Sequence, residues 1–117
     1  MAQATALNVE ADKLAEDERK ANQSVNRSAR AKAILEDELF TAAVAEIERR
    51  ILAEWRESPA RDTEGRERLW EMLKLQERLV ALLKEHIETG QIAAERLGQL
   101  AEQKRTLLDR LRRARAG

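Results

Sequence analysis

The 117-residue chain has no cysteine, a single proline, four glycines, two tryptophans, one phenylalanine and no tyrosine. Without cysteine there is no disulfide framework, and a reducing compartment is compatible with the composition. So few glycines and prolines leave little room for the turns that a many-stranded sheet requires, while 38% charged residues favour exposed helices or coiled coil. No apolar run approaches a membrane span, and the opening MAQATALNVEADKLAEDERK lacks an apolar stretch of signal-peptide length. A soluble, cytoplasmic protein is the expectation, with no membrane partner.

Charge of one sign is also missing overall, with 22 basic against 22 acidic side chains. The distribution is uneven. Residues 31–57 hold four basic and seven acidic groups, whereas residues 90–117 hold seven and three. An acidic middle and a basic end suit a directional partner or head-to-tail self-association, and ordinary solvated helix faces give the same counts.

Residues 1–28 offer only Leu7, Val9, Leu14 and Val25 as sizeable apolar side chains. They are expected to form a flexible or frayed-helix arm, with Asn8 capping a short helix to about Ala21 and NQSVN interrupting it. From a cap at Ser28 a helix is predicted to run to about Glu57, because Phe40, Val44, Ile47, Ile51 and Trp55 recur at intervals of three and four. At about 1.5 Å per residue it would reach roughly 40 Å and need a second long helix beside it.

Pro59 ends that helix, and Ser58 or Asp62 can cap the next. Beyond the turn, Leu69, Leu73, Gln76, Val80, Leu83 and Ile87 make one stripe, and Met72, Leu75, Leu79 and Leu82 make another beside it. One stripe packs on one neighbour, so two adjacent stripes ask for two. Gly90 either ends this helix or is absorbed in it. The following Ala93, Leu97, Leu100, Lys104, Leu107 and Leu111 keep a coiled-coil rhythm with a lysine at one seam position, which suggests a peripheral helix. The fold class expected is all-α: a long antiparallel hairpin over 29–89 as assembly core, an arm over 1–28, and an additional basic C-terminal helix over 90–117, the whole assembling into an oligomer. Trp55 and Trp70, either side of Pro59, are expected to bury their rings and seal one end of the hairpin.

The inventory for chemistry is thin. His86 is the sole histidine, and position 83, where a Glu-x-x-His metal motif would place its carboxylate, is leucine. Glycines at 65, 90, 98 and 117 form no phosphate loop, and Ser24, Ser28 and Ser58 sit where helix caps explain them. Pairs such as Glu46 with Arg50 and Asp109 with Arg113 have ordinary surface spacing. No catalytic residue, metal site or cofactor is expected, and the chain reads as non-enzymatic. The candidate sites are two. Lys104, Arg105, Arg110, Arg112, Arg113 and Arg115, opposed only by Asp109, could contact DNA phosphates, or complement a helix dipole. Phe40, Val44, Ile47, Ile51, Trp55, Trp70, Met72, Leu75, Leu79 and Leu82 form a candidate assembly interface.

The segment that opens ILEDELF at residue 34 and closes ETGQIA, with its W, SPARDTEGRE, LW and TG landmarks, resembles short helical proteins of the packaging and head modules of tailed bacteriophages. Among these it is most similar to small terminase subunits, which have a central antiparallel hairpin that oligomerises into a ring. The resemblance implies binding to double-stranded viral DNA, regulation of the large terminase subunit, and action in the cytoplasm of an infected host cell. The chain departs from the commoner pattern in lacking an N-terminal DNA-binding domain, so DNA contact would fall to the arm or the basic C-terminus. A scaffolding or internal virion protein, and a small helical inhibitor or adaptor of a host protein, are the alternatives.

Overall fold

A computed structural model of the chain describes residues 2–116. Three helices account for almost all of them, with no strand among the described residues: α1 (Ala2–Glu36), α2 (Glu38–Glu57) and α3 (Thr63–Ala116). The all-α class and the antiparallel hairpin are as the periodicity indicated. None of the described helices is long and apolar enough to cross a membrane.

Two boundaries differ from expectation. The first break falls at Asp37, not near Ser28: Asp37 adopts an extended conformation and its side chain accepts from Phe40 N at 2.9 Å, capping α2. NQSVN runs through α1 without interruption, and the segment expected to be a frayed arm is helical. Gly90 lies inside α3, so no separate helix covers 90–117. At the other end of α2 the ambiguity over caps resolves. Ser58 is its C-cap, with extended backbone as a residue before proline prefers, whereas Asp62 caps α3 by accepting from Gly65 N at 3.1 Å.

The chain divides into two compact units, Met1–Ala29 with Ile87–Gly117, and Arg30–His86. The first pairs the N-terminal part of α1 with the C-terminal part of α3. Its ion pairs, Glu10–Arg110 (3.4 Å), Glu18–Lys104 (3.8 Å) and Asp17–Arg96 (3.8 Å), run in opposite chain directions and mark an antiparallel seam. Such exposed pairs contribute little each, so apolar burial must hold the seam. Ala21, Ala93 and the fully buried Leu100 form its core, with Leu14, Val25 and Leu97 packed against them. This explains why a segment poor in large apolar residues is ordered: alanine, serine and glycine let two helices approach closely, and a short reach suffices. Ser28 Oγ donates to the Ile87 carbonyl at 3.4 Å, and a Cβ built on Gly90 would overlap Ser28 Cβ and Oγ and lie 3.2 Å from the Ser24 carbonyl oxygen.

The second unit is the hairpin of α2 with the first part of α3, joined to the end of α1. Gln76 Nε2 donates to the Val44 carbonyl at 3.0 Å, and Arg66 donates to Ser58 Oγ at 2.9 Å, so again the strands of contact run antiparallel. Ile51 and Ala31 are buried here, and the first stripe of α3, from Leu69 through Val80 to Leu83, is half-buried.

These two glycines predict opposite responses. Gly98 faces open space, so Gly98→Ala should raise stability by up to about 1 kcal/mol, the helix-propensity difference. Gly90→Ala gains the same propensity yet should lower stability by about 1–3 kcal/mol through overpacking against Ser28. Denaturant titration followed by circular dichroism measures both.

Candidate interaction surface

The corner between α2 and α3 is held by one side chain. Arg66 stands in the first turn of α3, where a cation is unfavourable to the helix dipole, and its guanidinium lies 4.3 Å from the centroid of the Trp55 ring. The same group donates to the carbonyls of Trp55 and Ser58, each at 3.3 Å. The Trp55 carbonyl already accepts from Ser58 N and Oγ, so Arg66 adds a further donor there, supplies one to the Ser58 carbonyl at the end of α2, and stacks on the ring at once. The tryptophans themselves are not the buried seals that their position suggests. Trp55 is 44% and Trp70 58% exposed. Trp55 shares the stripe of the buried Ile51 but stands in the last turn of α2, where the Arg66 guanidinium lies over its ring, and Trp70 lies off the half-buried stripe of α3, with Lys74 Nζ 5.7 Å from its centroid.

The hairpin covers one of the two stripes of α3. Phe40 and Val44 are half-buried and Ile51 is buried, so three members of the α2 stripe are spent inside the unit. Met72, Leu75, Leu79 and Leu82 are between 50% and 66% exposed, and Ile47 of α2 is open beside them. Together with Val44 and Ile51 they line a groove of about 450 Å³ whose polar lining residues are Gln76 and Arg78. Contiguous exposed apolar surface of this kind marks an interaction site more often than scattered apolar residues do. Beneath this surface Gln76 Nε2 is bonded to the Val44 carbonyl, and Oε1 is buried within the unit with no donor. A buried acceptor left unpaired costs about 1–3 kcal/mol.

At the basic end, three of the six candidate DNA contacts are engaged with carboxylates: Lys104 with Glu18, Arg105 with Glu102 at 3.1 Å, and Arg110 with Glu10. Arg112, Arg113 and Arg115 are exposed and make no ion pair with the described residues; Asp109 and Arg113 do not form the pair their spacing allows. Lys104 is an exposed rim residue and not a seam residue.

Elsewhere the surface charges are local clamps. Glu46 accepts from Arg49 Nε at 3.0 Å and Arg50 Nε at 2.9 Å, the latter as its spacing indicated. The hydrogen bond from Arg49, then that from Arg50, holds the Glu46 carboxyl below the usual carboxylate range, and Arg19 does the same for Glu16. Such groups stay ionised near neutrality and suit proton transfer poorly. His86 is exposed, and among the described residues no three His, Asp or Glu side chains converge as a metal site would need. Compared with protein families, with curated proteins and with solved structures, the chain matches none.

The corner generates a paired expectation. Trp70→Ala should cost less than about 1 kcal/mol, as exposed positions do. Arg66→Ala should cost about 1–2 kcal/mol by releasing the Ser58 carbonyl and hydroxyl and the face of Trp55, and Arg66→Lys should not restore it, because an ammonium lacks the planar fork that bonds and stacks together. Thermal and denaturant midpoints report both.

Proposed function

We propose that this chain is a non-enzymatic helical assembly protein of a phage packaging or head module, most like a small terminase subunit. It self-associates through the hairpin, binds double-stranded DNA through its basic end and regulates the large terminase motor. The observation that carries this reading is the uncovered stripe of Met72, Leu75, Leu79 and Leu82: the hairpin leaves it in water although its neighbour stripe is packed. An apolar face is a site for binding another protein, and its groove holds none of the convergent titratable groups that catalysis at a carbonyl or phosphate would use.

The DNA contact is assigned to Arg112, Arg113 and Arg115, which form no ion pair with the described residues. Arg110, Lys104 and Arg105 would join only by leaving carboxylates to which weak exposed pairs hold them. A scaffolding role is the outcome if assembly occurs without DNA binding.

Two measurements test this. Light scattering at tens of micromolar should give a mass above that of one chain, and Leu75→Glu should return it to monomer with helix content unchanged; a monomeric native chain overturns the reading. Gel shifts with duplex DNA should show salt-sensitive binding, and replacing all three arginines by glutamine should reduce the slope of log K against log salt by roughly 2 to 3.

A further inference from the structure

We infer that the duplex-binding surface does not stop at Arg113 but continues through Arg110 to Arg96, and that α1 holds this continuation closed by seating Glu10 and Asp17 where DNA phosphates would lie. The inference rests on the DNA contact proposed above and adds how far that contact extends and what regulates it.

The charges that meet across the seam are sorted by helix. Residues 10–18 of α1 carry five carboxylates against Lys13 alone, whereas residues 104–115 of α3 carry six basic groups against Asp109 alone. The Glu10–Arg110 pair at 3.4 Å and the Asp17–Arg96 pair at 3.8 Å each take the anion from α1 and the cation from α3. Both pairs line one groove of about 470 Å³ between the helices, whose charged residues are Lys13, Arg96 and Arg110 against Glu10, Asp17 and Glu102. The two signs cancel there, so the groove offers a polyanion no net attraction until the carboxylates of α1 are set aside. Glu102 is already turned to Arg105.

Arg110 joins the closed surface to the open one. It and Glu10 line the groove and also the adjoining hollow in which Arg113 lies. The part of α1 on that hollow, Ala6 and Leu7, belongs to a stretch without charged side chains, residues 2–9, so the cover ends where the unpaired arginines begin.

The covering contacts are loose enough to exchange. Arg110 Nη1 reaches both Glu10 oxygens at 3.4 Å, longer than the roughly 2.7–2.9 Å of a tight guanidinium–carboxylate bond. Carboxylate and phosphate accept from a guanidinium through the same fork, and exposed pairs are weak, so a phosphate can replace Glu10 without moving the backbone. The displaced carboxylate then stands beside the DNA backbone and repels it, which holds the native chain to its outer arginines.

Binding of duplex DNA is measured by fluorescence anisotropy against salt. Glu10→Gln with Asp17→Asn should steepen the slope of log K against log salt by roughly 1 to 2, so that the affinity lost between about 50 and 200 mM salt grows about three- to twelvefold. Glu10→Gln alone, at an exposed position, should give about half of that steepening. Asp12→Asn with Glu95→Gln changes net charge equally, at exposed carboxylates that form no ion pair with the described residues, and should leave the slope as it is. Arg110→Gln should leave the slope of the native chain unchanged, yet remove about half of the steepening when added to Glu10→Gln with Asp17→Asn. Equal steepening by both pairs of substitutions, no steepening by either, or an Arg110→Gln effect as large in the native chain as in the altered one overturns closure by α1 and leaves the DNA contact standing. Absence of salt-sensitive binding in every chain overturns both.

Discussion

A single neighbouring helix can cover only one face of another, and α3 carries two apolar stripes over the length that α2 accompanies. This constraint organises the hairpin unit. The stripe through Leu69, Leu73, Val80 and Leu83 is packed, and the stripe through Met72, Leu75, Leu79 and Leu82 is left over. Gln76 stands where the two meet. Its hydrogen bond to the Val44 carbonyl ties α3 to α2, and the same anchoring holds its Oε1 where nothing within the unit donates to it. The residue that helps close the hairpin thus leaves the hairpin chemically incomplete.

The unit built from the chain's two ends solves the same packing problem differently. Two helices alone have no third element to thicken their core, so close approach replaces bulk: Ala21 and Ala93 at one level, Ser28 against Gly90 at another, leucine only where the gap widens at Leu100 and Leu107. Interhelical separation follows the size of the residues at the contact, which makes one hydrogen atom at Gly90 a structural requirement. Its neighbour Gly98 has no such role, although sequence alone gives both the same standing.

This contrast shows what was legible in the residues and what was not. The turn at Pro59, the phase of both α3 stripes and the all-α class follow from local chemistry and three-four spacing, which need no partner to be read. The helix over residues 2–28 was hidden because it depends on small residues matched across 59 positions of chain, and alanine or serine advertises no burial by itself. The break at Asp37 carried a local signal, an acidic cap two residues before an apolar pair, but the unbroken helical rhythm around it masked the signal. Arg66 was visible only as a misfit, a cation at a helix N-terminus, and its reason lies on α2. The tryptophans misled because bulk suggests burial, whereas Trp55, although on the stripe of Ile51, stands in the last turn of α2, and Trp70 lies off the half-buried stripe of α3.

The energetic consequence of Gln76 is distinct from that of the open face beside it. Apolar surface in water favours any partner that covers it, so four leucine-like side chains alone would associate without choosing direction or register. Gln76 Oε1 is already sealed from solvent, so the cost of leaving it unpaired, about 1–3 kcal/mol, is carried inside the hairpin whether or not the face is covered. The apolar stripe and the unpaired amide are therefore separate features, one a property of the surface and the other a property of the hairpin's interior. Replacing Gln76 by leucine would remove the unpaired oxygen and the hydrogen bond to the Val44 carbonyl together, so the balance of the two is read in the stability of the hairpin and not in the covering of its open face.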